Sequence, residues 1–100
     1  MTSSRTDETA VARDVRVVRD ALTVHLADGR TLSVPLEWYP RLAAGSELEW
    51  QNWELIGDGH GIHWPDLDED ISVAGLLAGR RSNESDKSIK DWLASRSRTG

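Results

Sequence analysis

The stretch from Trp53 to Gly79 most constrains what this chain can fold into, because strand-forming residues and chain breakers alternate in it. A β-prone run ends at Gly57–Gly59, a composition typical of a tight reversal, and a second short run ends at Pro65. Proline lacks a donor for the strand ladder and restricts the residue before it. The stretch therefore predicts a β-hairpin from Trp53 to Trp64.

Four carboxylates follow this hairpin within five positions, before a short helix is expected. Ser72 is placed to cap that helix, and Gly79 is placed to end it in a left-handed conformation. Carboxylates are favoured near the positive end of a helix. The acidic run is therefore predicted to be a turn and cap, with Asp68 or Asp70 bound to backbone amides near Ser72. The run consists of Asp66, Asp68, Glu69 and Asp70.

Upstream, apolar residues alternate with polar ones on both sides of Asp28-Gly29, a pair typical of a type I′ hairpin. Another turn is expected near Asp20. Three antiparallel strands follow from this pattern, and His25 falls on the polar face. The apolar face is predicted to contain Leu22, Val24, Leu26, Leu32 and Val34.

Two helical turns are expected between the strand regions. Pro40 suits the first turn of one helix, and Ser46 with Glu49 forms a capping box for the next. The chain has five tryptophans and no phenylalanine, so tryptophan must fill much of the core. An aromatic binding groove is the alternative interpretation. The tryptophans concerned are Trp38, Trp50, Trp53 and Trp64.

A longer signature runs from Gly59 to Gly79 and reads G-x-G-I-H-W-P-x-x-D-E-D-I-S-V-x-x-L-L-x-G. Together with Trp38-Tyr39-Pro40-Arg41-Leu42, it resembles the bacterial domain-of-unknown-function family 2442, from about Val15 to Gly79. The resemblance implies a small α+β module. Some such domains are fused to helix-turn-helix segments, and others are encoded beside a second short protein in toxin-antitoxin-like pairs. The resemblance brings no catalytic residues with it.

One hundred residues suffice for one domain with one core. We predict a disordered leader over 1–12, an α+β domain over 13–79 with a β-meander, a hairpin and short helices, and a linker with a C-terminal amphipathic helix over 80–100. That helix carries a narrow apolar stripe, which cannot stabilise a lone helix of about 12 residues. The stripe must dock on its own domain or on a partner. It consists of Ile89, Trp92 and Leu93.

Charge is unevenly distributed along the chain, which carries a net −5. Residues 80–100 hold six of the twelve basic residues and three acidic ones, so the tail is +3 and the rest is −8. An acidic body repels phosphates over ~8 Å at physiological salt. Nucleic-acid binding is therefore expected only through the tail.

The chain contains no cysteine, no run resembling a signal peptide and no apolar run of about 18 residues. We therefore expect a cytoplasmic protein that does not contact membranes.

Metal binding and hydrolysis are two further interpretations of the His-rich and acidic stretch. His60 and His63 point to opposite faces of an extended chain, and the aspartate run lacks the glycine and glutamate of an EF-hand. A hydrolase would use His63 with Asp66 or Asp68 and Ser72 as nucleophile, without a nucleophile elbow. We therefore predict no metal, no cofactor and no catalysis.

The predicted function is a protein-binding module, antitoxin-like or regulatory, with a small basic protein encoded nearby as its partner. The chain itself is expected to be a monomer or a homodimer. One alternative is an accessory domain of a transcription regulator that contacts nucleic acid through its basic tail; the other is the hydrolase or metal-binding protein described above. The residues predicted to contact a partner are Asp66, Asp68, Glu69, Asp70, Ile89, Trp92 and Leu93.

Overall fold

The structure is a computed structural model that describes residues 10–99. Two three-stranded antiparallel sheets follow one another along the chain, with short helices between and after them, so the fold is α+β as predicted. The first sheet contains β1 (Ala12–Val18), β2 (Ala21–Leu26) and β3 (Thr31–Pro35). The second contains β4 (Glu54–Ile56), β5 (Gly61–Trp64) and β6 (Glu69–Ser72). The helices are α1 (Pro40–Ala43), α2 (Glu47–Gln51), α3 (Val73–Leu77) and α4 (Asp86–Thr99).

The turn expected near Asp20 is present, while the turn at Asp28-Gly29 differs from its predicted type. Arg19 and Asp20 both have positive φ, 50° and 66°, which is the type I′ geometry. At Asp28-Gly29 only the glycine is left-handed, with φ of 97°, and the Leu26 N–H donates to the Arg30 carbonyl at 2.8 Å. The type I′ prediction for Asp28-Gly29 was therefore wrong, because one additional loop residue lets a right-handed turn followed by a left-handed glycine close this hairpin.

The predicted apolar face of the meander is confirmed. Leu22 and Val24 are fully buried, and Leu32, at the edge, is partly buried against the same core. His25 lies on the other face, where its Nδ1 is 3.1 Å from Thr31 Oγ1. The alternation of the strands therefore decides which side of the sheet faces the core.

The second sheet confirms the predicted hairpin and adds a strand. Glu54 pairs with His63 in β4 and β5, and His63 pairs in turn with Asp70 in β6. The acidic run was predicted to lie wholly in a turn, but its second half is β6. Asp68 has a φ of 51°, which lets the chain reverse after β5, and Ile71 is buried from β6. Burial of this apolar residue outweighs the low strand propensity of the acidic ones.

Tryptophan supplies much of the core, as predicted. Trp64 is fully buried, and Trp38, Trp50, Trp53 and Trp92 pack partly buried against the core cluster. The Trp64 Nε1–H donates to the Trp50 carbonyl at 3.2 Å, and the Trp50 Nε1–H donates to the Leu42 carbonyl at 2.7 Å. Both indoles thus have the acceptors that burial requires.

The predicted helix ends are present. Ser46 and Glu49 form a complete capping box on α2, and Pro40 is the first residue of α1. Ser72 Oγ accepts a bond from the Gly75 amide at the start of α3, and Gly79 follows that helix with φ of 75°. Side-chain caps therefore account for the starts of α2 and α3, and Pro40 suits the first position of α1.

The predicted leader over 1–12 falls largely outside the described residues, which begin at position 10. Ala10 and Ala12 are buried in the core cluster, and Ala12 is the first residue of β1. Within residues 10–99, no helix combines the length and apolar character that crossing a bilayer requires.

Candidate functional site

His63 lies between two acidic residues on the second sheet. It is the cross-strand neighbour of Glu54 on one side and Asp70 on the other, and its Nδ1 contacts the Asp70 carboxylate. This hydrogen bond raises the pKa of His63 above its ordinary value, and the charges of Asp70 and Glu54 add to the effect. The contact with Asp70 therefore favours the charged imidazolium of His63.

The other aspartates of the acidic run also have partners within the chain. Asp66 accepts a bond from Asn52 Nδ2 at 2.9 Å, and Asp68 accepts one from Arg41 Nη1 at 3.1 Å. The predicted bonds from Asp68 or Asp70 to backbone amides near Ser72 are therefore replaced by side-chain contacts. The reason is that β6 directs Asp70 across the sheet toward His63, while the Ser72 hydroxyl caps α3.

Glu69 is the residue of the acidic run that has a raised pKa. It lines a polar cavity of about 270 Å³ beside Tyr39 and Arg80. Burial raises the pKa of Glu69 to about 7; Arg41 opposes this shift, while the nearby Glu84 and Asp70 carboxylates add to it. Near neutral pH this side chain therefore holds its proton about half of the time.

The C-terminal helix α4 docks on the domain through charged and aromatic contacts. Two guanidinium groups make cation–π contacts with the Trp92 ring. That of Arg41 lies 5.0 Å from the ring centroid, and that of Arg96 lies 4.8 Å from it. Arg96 Nη2 donates to both Glu49 oxygens, at 2.9 and 3.0 Å, and Arg41 Nη2 donates to Glu84 at 2.7 Å. The stripe predicted on this helix is thus engaged within the chain through Trp92.

The other stripe residues are less engaged. Ile89 is partly buried, and Leu93 is 39% exposed. The helix begins at Asp86, where Ser85 Oγ accepts a hydrogen bond from the Ser88 amide and Glu84 accepts one from Arg41. A role for the stripe and the acidic run in binding a partner stays a prediction.

An open groove of about 390 Å³ lies along β1, on the side where no described strand pairs with it. We call it the β1 groove. Trp50 and Trp53 supply its aromatic wall, and Val18, at its end, is 51% exposed. The residues that line it are Val15, Arg16, Val17, Val18, Glu47, Trp50, Gln51 and Trp53.

The charges of the β1 groove are not balanced. Arg16 Nε donates to Asp14 at 2.9 Å, and this hydrogen bond lowers the pKa of Asp14. Glu47 has no ion pair among the described residues. The Trp53 indole N–H likewise has no acceptor within that part of the chain. The groove thus offers an aromatic wall, a carboxylate and a hydrogen-bond donor to a ligand.

The fold brings His63 and Asp70 together, two of the residues considered for metal binding. Among the described residues, no group of three or more histidines, aspartates or glutamates is arranged to hold a metal ion. The Ser72 hydroxyl accepts a hydrogen bond from the Gly75 amide, and His63 contacts Asp70 and not Asp66 or Asp68.

The β1 groove was only partly anticipated from the sequence. An aromatic groove was the alternative interpretation for the tryptophans, and the capping box correctly located α2. Val18 and Glu47 gave no signal, because their closeness depends on how α2 packs beside β1. Only the contact between these distant segments reveals the groove.

The fold and the groove define a small α+β protein built from two successive antiparallel sheets. The chain belongs to the family described as protein of unknown function DUF2442, whose model matches residues 12–82. The resemblance seen in the sequence is thereby confirmed. No curated protein matches the chain.

Two solved structures are similar to this chain. One is the crystal structure of a protein of unknown function from Rhodospirillum rubrum, with 31% identity and a TM-score of 0.66 over 75% of this chain and 93% of that one. The other is the solution NMR structure of an uncharacterized protein from Chromobacterium violaceum, with 26% identity and a TM-score of 0.66 over 89% of this chain and 85% of that one. Both support the α+β fold.

Proposed function

We propose that this chain is a protein-binding module, antitoxin-like or regulatory, that acts without catalysis. The observation that carries the proposal is the β1 groove, an open cleft of about 390 Å³ with two tryptophans in its wall. Tryptophan is enriched among the residues that dominate binding energy at protein interfaces. A single groove of this kind favours a short segment of another protein as ligand.

The partner is expected to be basic. The chain carries a net charge of −5, and the unpaired charge in the groove is that of Glu47. A small basic protein encoded nearby is the candidate partner. Nucleic acid is a weaker candidate because Arg96 of the tail is bound by Glu49 and would have to be released first.

In-cell photo-crosslinking tests the proposal. Benzoylphenylalanine would replace either Val18, which is 51% exposed in the groove, or Leu48, which is 79% exposed on α2 but does not line the groove. We expect a defined protein to crosslink at position 18 and not at position 48. The crosslinked protein would then be purified and titrated against the unmodified chain.

A matched pair of variants provides the control for that titration. Val18→Asp and Leu48→Asp both place a carboxylate at an exposed apolar position. Only Val18→Asp should weaken binding, by about tenfold or more, because it alone alters the groove. Equal crosslinking at both positions, crosslinking to nucleic acid alone, or equal effects of both variants would contradict the proposal.

A further inference from the structure

The shape of the β1 groove indicates how a partner would bind, an inference that rests on the proposed function. Four successive residues of β1, from Val15 to Val18, line the groove. Successive side chains of a strand point to opposite faces of the sheet. A groove that contacts all four residues must therefore run along the edge of the strand and not over one face of it.

The edge of β1 is available for hydrogen bonding. β1 is the outer strand of its sheet, and its only strand partner within residues 10–99 is β2. The backbone groups on the other edge are therefore free to pair with an added strand. Four residues of extended chain span about 13 Å, so a segment of similar length would match this part of β1.

The wall and the charge of the groove indicate which side chains that segment carries. Arg16 forms an exposed ion pair with Asp14, and Glu47 is the lining carboxylate that has no ion pair among residues 10–99. The rings of Trp50 and Trp53 form the aromatic part of the wall. A lysine or arginine placed between an indole ring and a carboxylate gains both a cation–π contact and an ion pair.

We propose that an extended, basic segment of the partner protein adds to β1 as a further strand, with a lysine or arginine side chain held by Glu47 and the tryptophans. A second copy of this chain is a poorer occupant. Each copy carries a net −5, so two copies repel one another.

The test uses the full chain and a synthetic peptide of about ten residues in which lysine and valine alternate. Two-dimensional NMR would follow the backbone amides during titration with this peptide and with its glutamate-valine counterpart. The lysine peptide should shift amides of residues 14–18 and 47–53, while the glutamate peptide should not. A version of the lysine peptide with N-methylated amides along one edge should lose binding, because strand addition requires its N–H groups.

Gln51 provides a matched pair of variants, since it is exposed and lines the groove. Gln51→Lys should weaken binding of the lysine peptide about threefold at low salt, and Gln51→Glu should strengthen it by a similar factor. Unchanged binding of the N-methylated peptide, equal effects of both Gln51 variants, or amide shifts caused by self-association on concentrating the chain alone would overturn the inference. A protein crosslinked at position 18 whose binding leaves the β1 amides unshifted would also overturn it, while protein binding itself would stand.

Discussion

The carboxylates of the acidic run have different surroundings in the folded chain. Asp66 and Asp68 accept side-chain bonds from Asn52 and Arg41, whereas Glu69 is partly buried beside the polar cavity. Burial opposes the ionisation of Glu69. The run is therefore not a uniform patch of negative charge near neutral pH.

Glu69 makes the stability of the chain depend on pH in a defined direction. Its pKa is about 7 in the folded chain against 4.5 as the ordinary value, so between these values the folded chain holds a proton that the unfolded chain has lost. This contribution to stability therefore falls as pH rises from 4.5 to 7. Glu69→Gln should stabilise the chain at pH 8 by about 1 kcal/mol, a figure reduced for partial exposure.

Thermal unfolding of the chain and of Glu69→Gln at pH 5 and pH 8 checks this prediction. The difference in melting temperature should be larger at pH 8. Glu37→Gln, at an exposed position, is the matched control for the loss of one carboxylate. If Glu69→Gln raises the melting temperature equally at both pH values, Glu69 does not titrate between them.

At the scale of elements, the helix α2 connects two parts of the molecule. Its Trp50 lines the β1 groove, and the Trp50 carbonyl accepts a hydrogen bond from the Trp64 indole N–H. Its Glu49 completes the capping box and binds Arg96 of α4. That bond to Arg96 lowers the pKa of Glu49. The C-terminal helix thus stabilises the element that forms one wall of the groove.

Arg96→Gln tests this connection. The variant removes the paired bonds to Glu49 and the cation on Trp92, which together contribute about 1 kcal/mol. We expect a lower melting temperature and faster amide hydrogen exchange in α2. Lys90→Gln is the matched control, since Lys90 lies on the same helix and has no ion pair within residues 10–99. Unchanged exchange in α2 would mean that α4 does not stabilise it.

At the scale of the whole molecule, the residues matched by the family model end before the C-terminal helix begins. The family model matches residues 12–82, and α4 begins at Asp86, outside that range. Both sheets and the β1 groove lie within the matched part. The helix α4 packs on the core of this matched part through Trp92.

Truncation after Ser82 should leave a folded domain of lower stability. Loss of the partly buried Trp92 and of the bond between Arg41 and Glu84 should cost about 2 kcal/mol. Circular dichroism and thermal unfolding would measure it, with Leu93→Ser in the full chain as a control at an exposed position of α4. If the truncated chain is unfolded, α4 is required for folding. If its melting temperature is unchanged, α4 does not contribute to stability.

Local signals in the sequence determined most of the secondary structure. Strand alternation predicted the meander and its buried face, and the capping box and Pro40 predicted α2 and α1. The signature from Gly59 to Gly79 predicted the family. These features were readable because each depends on neighbouring residues, whose spacing decides the face of a strand or the end of a helix.

Only the tertiary structure decided the remaining features. Strand β6 forms inside the acidic run because β5 pairs with it and the core buries Ile71, which no local propensity shows. The β1 groove exists because α2 packs beside the free edge of β1, and Trp92 meets Arg41 only once α4 folds back. Contacts between distant segments depend on the packing of the whole chain, so the spacing of neighbouring residues does not determine them.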